Sequence, residues 1–232
     1  MNRTSQNLVL MLLGGVLVGI SAFSTEYVNY VKPGFRPFLI AAGALIVLVA
    51  LAGLIQDARG TQEAHDHHDK GPRVAWLLCL PAFFILLIAP PALGSFAASR
   101  SESAPPLPPR APVSDLEPVR SQGQKPIDMP IGEYMFRSWD KGGKRLAGKT
   151  FRLTGFVTPS KKKDRWYVTR MHMGCCAADA YAMKVAVFGA PQPEDDSWVE
   201  VTGTWIKVKP EQIPQISATG VRPISEPEFP YE

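Results

Sequence analysis

Thr150-Phe-Arg-Leu-Thr-Gly-Phe-Val-Thr158 is rich in β-branched and aromatic residues and carries one interior glycine, Gly155. That composition predicts a strand, and a glycine within a strand marks a bulge or a tight bend at a barrel corner. Four further stretches read the same way and are separated by turn signals: 165–173, 183–188, 198–207 and 215–224. The third of these four contains Gly203. Five short strands in about 75 residues with glycine-marked bends predict an all-β, OB-like small barrel, with a five-stranded sandwich as the alternative. A short amphipathic helix is expected just before them, over Ile131–Trp139, with Asp128 placed to cap it. The soluble β domain therefore covers residues 131–232.

This domain holds 15 Lys/Arg against 12 Asp/Glu, a net of +3. Its only dense basic cluster is Lys161-Lys162-Lys163, followed at once by Asp164. Binding single-stranded nucleic acid requires a basic groove interleaved with stacking aromatics. A lysine-rich hairpin tip reads instead as a solvated loop, so no nucleic-acid partner is expected.

Upstream, Ala104 to Pro130 contains eight prolines in 27 residues. Such a segment favours extended polyproline II, which makes residues 100–130 a semi-rigid linker.

The first 99 residues differ in kind. They hold six Lys/Arg and five Asp/Glu, leaving nineteen and sixteen for the rest of the 232-residue chain. The near-zero mean hydropathy of −0.01 is thus the average of two unlike halves. Three charge-free runs cover 4–25, 37–56 and 74–99. A bilayer core of about 30 Å needs roughly 20 helical residues, so these runs predict three transmembrane helices, at about 4–25, 37–56 and 74–98. Pro81 should kink the third, and Pro90-Pro91 should bend or end it. The alternative for the first run is a cleaved signal peptide, with Ala22 and Ser24 as a weak cleavage pattern. With three spans, the N-terminus and the 57–73 loop share one side of a cell membrane. Four cations flank that side against three on the other, which leans the C-terminal domain toward the extracytoplasmic side.

Two constellations could carry metal chemistry. The loop 57–73 contains His65-Asp66-His67-His68-Asp69, and short His-rich tracts bind divalent ions. In Met171-His-Met-Gly-Cys-Cys-Ala-Ala-Asp-Ala180, His172, Cys175, Cys176 and Asp179 offer nitrogen, sulfur and oxygen within eight residues. Adjacent cysteines are poorly placed for a mutual disulfide, since a trans peptide fixes their Cα atoms near 3.8 Å. Their thiols converge only if the chain leaves the strand, which Gly174 permits. The other reading is two packed residues at a strand-to-turn junction, with Asp179 capping the turn. Cys79, the third cysteine, lies in an apolar run and reads as a small hydrophobe. No nucleophile elbow, Walker loop, dinucleotide fingerprint or HExxH occurs, so catalysis is not expected.

The string Thr169-Arg170-Met-His-Met-Gly-Cys175-Cys176-Ala-Ala-Asp179-Ala180 resembles the signature of the YcgQ-like family of permease subunits. Gly148-Lys149, Gly155-Phe156-Val157, Trp198-Val-Glu-Val-Thr-Gly203 and Pro227-Glu-Phe-Pro230-Tyr231 are similar too, as are the N-terminal spans and the His-rich loop. His172 departs from the apolar residues expected there, which argues against it as a shared ligand. The resemblance implies a polytopic permease as partner, with this chain as its accessory subunit. Zinc is the favoured ion, held by Cys175, Cys176 and Asp179 and more weakly by His65, His67 and His68. The alternative function is a membrane-anchored, OB-like binding module whose Cys-Cys motif is structural.

Overall fold

A computed structural model describes residues 3–59, 91–100, 125–209 and 212–232. The chain falls into two compact units, Met1–Ala92 and Leu93–Glu232.

In the first unit, α1 (Arg3–Phe23) and α2 (Arg36–Ala58) are helices long and apolar enough to cross a membrane. They run antiparallel. Thr4 Oγ1 donates to Asp57 Oδ2 at 3.3 Å, and halfway along Gly14 meets Gly43. A Cβ built at Gly14 would lie 2.9 Å from the Gly43 carbonyl oxygen, so small residues let the two backbones approach. At the turn, the Arg36 guanidinium donates to the Ser21 and Ala22 carbonyls at 2.8 and 2.9 Å. It thereby satisfies two of the carbonyls that the end of α1 leaves open. The third run lies outside the described residues as far as Pro90, as do the His-rich loop and Cys79. The structure therefore describes two long apolar helices where the sequence predicts three.

The second unit begins with a five-residue helix, α3 (Ser95–Ser99). Residues 101–124, most of the Pro-rich linker, lie outside the described residues. Then come β1 (Ile127–Asp128), α4 (Ile131–Trp139), β2 (Thr150–Thr158), β3 (Trp166–His172), β4 (Tyr181–Phe188), β5 (Trp198–Ile206) and β6 (Gln215–Pro223). The long strands pair in the order β2-β3-β4-β6-β5, and β5 returns to β2. That closure makes a five-stranded β-barrel and excludes the sandwich. All these pairings are antiparallel except β4 with β6, an arrangement compatible with an OB-like fold.

Two strand glycines, Gly155 and Gly203, stand where the chain comes close to a neighbouring strand. β2 pairs with β5 through Phe156 and with β3 from Phe156 onward, so it switches partners next to Gly155. A Cβ at Gly155 would overlap the Thr169 carbonyl, and one at Gly203 would overlap the Ser217 carbonyl. The register between β5 and β6 shifts between Thr202 and Gly203. These are the close approach and the bulge that a side chain would forbid.

The barrel interior is filled by Phe151, Leu153, Val157, Trp166, Val168, Met183, Val185, Val199, Val201 and Ile216. Helix α4 contributes Ile131, Tyr134 and Met135, spaced i, i+3, i+4 on one face. Each such fully buried apolar side chain stabilises the fold by roughly 1.5–3 kcal/mol. Tyr134 packs edge-on against Phe151 and donates its hydroxyl to the Gln215 carbonyl at 2.8 Å. Outside the barrel, Ala98 of α3 packs with Phe156, Met171 and Ala182.

Asp128 does not cap α4. It is exposed and pairs with Arg152 at 3.3 Å. The free N–H groups of Ile131 and Gly132 instead donate to the two Glu232 carboxylate oxygens, each at 2.9 Å. The helix follows directly on Pro130, whose extended backbone leaves no local carboxylate in place.

Candidate functional site

The signature segment lies between β3 and β4. β3 ends at His172, and after Gly174 the chain leaves the sheet and makes one 3-10 turn over Ala177–Asp179. β4 resumes at Tyr181. Gly174 and Cys175 donate their backbone N–H groups to Asp179 Oδ1 and Oδ2, at 2.9 and 2.7 Å. One carboxylate thus clamps both ends of a six-residue loop. The Asp179 N–H in turn donates to the Cys176 carbonyl at 3.0 Å.

Folding back in this way removes the alternation that would send Cys175 and Cys176 to opposite faces. Their Sγ atoms stand 3.7 Å apart, and ligand atoms of Cys175, Cys176 and Asp179 all lie within 4.8 Å of one another. Both cysteines are free thiols; Cys175 is exposed and Cys176 half-buried. The sulfur separation is far from a disulfide bond. It matches two ligands of one tetrahedral ion: zinc–sulfur bonds of ~2.3 Å at the tetrahedral angle separate the sulfurs by about 3.8 Å.

Electrostatically the loop is a proton-holding pair. Hydrogen bonding to the Asp179 carboxylate, reinforced by Cys176, pushes the Cys175 thiol up to about 11. The same thiol and the Cys175 and Gly174 N–H groups hold the Asp179 carboxyl below the usual carboxylate range. A reactive redox cysteine needs the opposite shift, toward thiolate. A metal ion supplies it by replacing the proton.

The structure brings together three of the four residues weighed from the sequence. His172 is not in the group: it stands in register with Tyr181, its ring 5.1 Å from the tyrosine ring. His65, His67 and His68 lie outside the described residues. Sequence reasoning missed the support behind the loop, which comes from the C-terminal segment. Glu232 N–H donates to the Met171 carbonyl at 2.9 Å, and Met173 N–H donates to the Glu232 carbonyl at 3.1 Å. Arg170, buried against the Trp198 ring, donates to the Phe229 carbonyl at 2.6 Å and fastens the same segment. A positive charge two residues before the end of a strand was the available signal; its partner lies 59 residues away.

No curated protein and no solved structure matches the chain. Residues 133–232, which contain nearly all of α4, the entire barrel and the Cys175–Asp179 loop, match the model of the DUF1980 C-terminal domain, a family of uncharacterised proteins.

Proposed function

We propose that the protein is a multi-pass membrane accessory subunit of a polytopic permease, and that its barrel presents Cys175, Cys176 and Asp179 as a zinc-handling site. The observation that carries the metal reading is the convergence of two thiols and a carboxylate within 4.8 Å on an exposed loop. A structural zinc is closed by four protein ligands, whereas three leave a coordination position open. An open, exposed thiolate site suits receiving and passing on an ion more than locking a fold. The permease partner rests on the resemblance of the signature string, and residence in the membrane on the apolar helices α1 and α2.

The test uses the full-length protein in detergent under reducing conditions. Competition with a chromophoric zinc chelator should show stoichiometric zinc, lost in Cys175→Ser with Cys176→Ser and weakened in Asp179→Asn. Because the thiol must lose its proton, affinity should rise as pH rises toward 11. Identical melting and no zinc retention in native and doubly substituted protein would leave the cysteines as packing residues of a membrane-anchored binding module. The partner is tested separately, by affinity purification from native membranes. Recovery of no polytopic protein would remove the permease assignment and leave the zinc result standing.

A further inference from the structure

Residues 93–99, with α3 at their centre, form a strap across the outside of β2, β3 and β4. The strap is fixed at both ends. Leu93 N–H donates to the Tyr231 hydroxyl at 3.0 Å, and Ser95 N–H donates to Asp196 Oδ1. At the far end the Ala98 carbonyl accepts from Lys184 Nζ at 2.6 Å. Ala98 is fully buried against Phe156, Met171 and Ala182, a cluster separate from the barrel interior.

The Ser95–Asp196 bond is built against the backbone's preference. Asp196, in the connection from β4 to β5, stands at φ +64°, in the left-handed region where glycine is the default. A Cβ on Gly94 would lie 2.6 Å from Asp196 Oδ1, so the carboxylate reaches the strap only because Gly94 has no side chain. A strained residue persists where the surrounding structure holds it, and such residues gather at clamps.

The strap covers the roots of the thiol loop. Met171 lies on β3 just before the loop and stands in register with Ala182 of β4 just after it. Ala180, next to Asp179, packs against the same cluster, and Tyr231 bridges to Met171. One short segment therefore braces the chain on either side of Cys175–Asp179.

We propose that the strap is a latch on the metal site, an inference that rests on the metal reading of that loop. Docked, it holds both roots so that the two thiols and the carboxylate stay converged. Lifted, it lets them part and the ion leave. The barrel need not open for this, since its interior cluster contains no strap residue. The strap also ends the third apolar run, so movement in the chain before it reaches the strap first. Coupling of this kind is reciprocal: a bound ion strengthens docking by the factor that docking strengthens binding.

The experiment measures zinc affinity by chelator competition on full-length protein in detergent under reducing conditions. Asp196→Gly removes the carboxylate and suits the positive φ, so the turn itself folds without strain. Gly94→Val pushes the same carboxylate away from the strap side. Each should weaken zinc binding about tenfold. The double variant should bind no more weakly than either alone, because both changes break one contact. In the native protein, zinc should slow hydrogen exchange of the strap amides about tenfold, by the same coupling. Unchanged affinity in the variants, or strap exchange indifferent to zinc, overturns the latch and leaves the zinc site standing. Losses that add in the double variant also overturn it, because general loosening of the barrel would then account for them. Native protein that binds no zinc removes the metal reading and the latch with it.

Discussion

At Cys175 a single hydrogen bond decides what the thiol can do. Asp179 accepts its proton, so the thiol stays protonated well above its ordinary range. A pKa raised in the fold means that this bond's contribution to stability is fully present at neutral pH and is lost as pH rises through about 11. Asp179 has the reverse sign: its contribution is present above the usual carboxylate range and disappears as acid protonates it. In a Cys176→Ser background, Asp179→Asn should therefore speed alkylation of Cys175 at mildly alkaline pH by about tenfold. The gain in thiolate is partly offset by the lower nucleophilicity of a more acidic thiol. Peptide mass spectrometry separates Cys175 from Cys79. An unchanged rate would show that Asp179 does not hold the proton. The residue types of this site were legible in the sequence because Cys, Cys and Asp fall within five positions. Their geometry was not, since nothing local states that Asp179 bonds back to the N–H groups of Gly174 and Cys175.

Among the elements, the strands were the most readable and the helix cap the least. β2 has the bounds its composition predicts, and Gly155 and Gly203 sit at a partner switch and a bulge. Those features are local: at Gly155 and Gly203 a side chain would overlap a carbonyl of the neighbouring strand, whereas Gly220 in β6 meets no such crowding. The cap of α4 is not local. Asp128 was the nearest acceptor in sequence, yet Glu232, about a hundred residues away, supplies both oxygens. The backbone of Glu232 also pairs with Met171 and Met173, so one residue ties the start of α4 to the end of β3. Glu232→Ala should lower stability by about 1 kcal/mol, the usual worth of a helix cap. Tryptophan-monitored denaturation should show an earlier midpoint with unchanged slope. Asp128→Ala should move the midpoint less, because an exposed ion pair such as that with Arg152 is worth ~0.2–1 kcal/mol and often nothing measurable. The reverse ranking would mean that Glu232 contributes no cap in solution.

On the scale of the whole molecule, the two unlike halves of the sequence are two compact units, but the seam is earlier than composition suggests. Leu93–Ser99 ends the third apolar run, yet it belongs with the barrel: Ala98 is fully buried against Phe156, Met171 and Ala182, and Leu93 N–H donates to the Tyr231 hydroxyl at 3.0 Å. Hydropathy alone cannot distinguish an apolar stretch that faces lipid from one that covers the outside of a sheet. A third crossing of the kind the sequence predicts would therefore have to end before Leu93. The number of crossings fixes which compartment sees the thiols. With the third crossing made, the N-terminus and the barrel lie on opposite sides; with α1 and α2 alone they share one. Single cysteines introduced as Asn2→Cys or Lys163→Cys, in a chain carrying Cys79→Ser, Cys175→Ser and Cys176→Ser, report this directly. An impermeant maleimide applied to intact cells should label the Lys163→Cys protein and spare the Asn2→Cys protein until the membrane is opened. Labelling of both from the same side would reduce the crossings to an even number and place the Cys175–Asp179 loop in the compartment of the N-terminus.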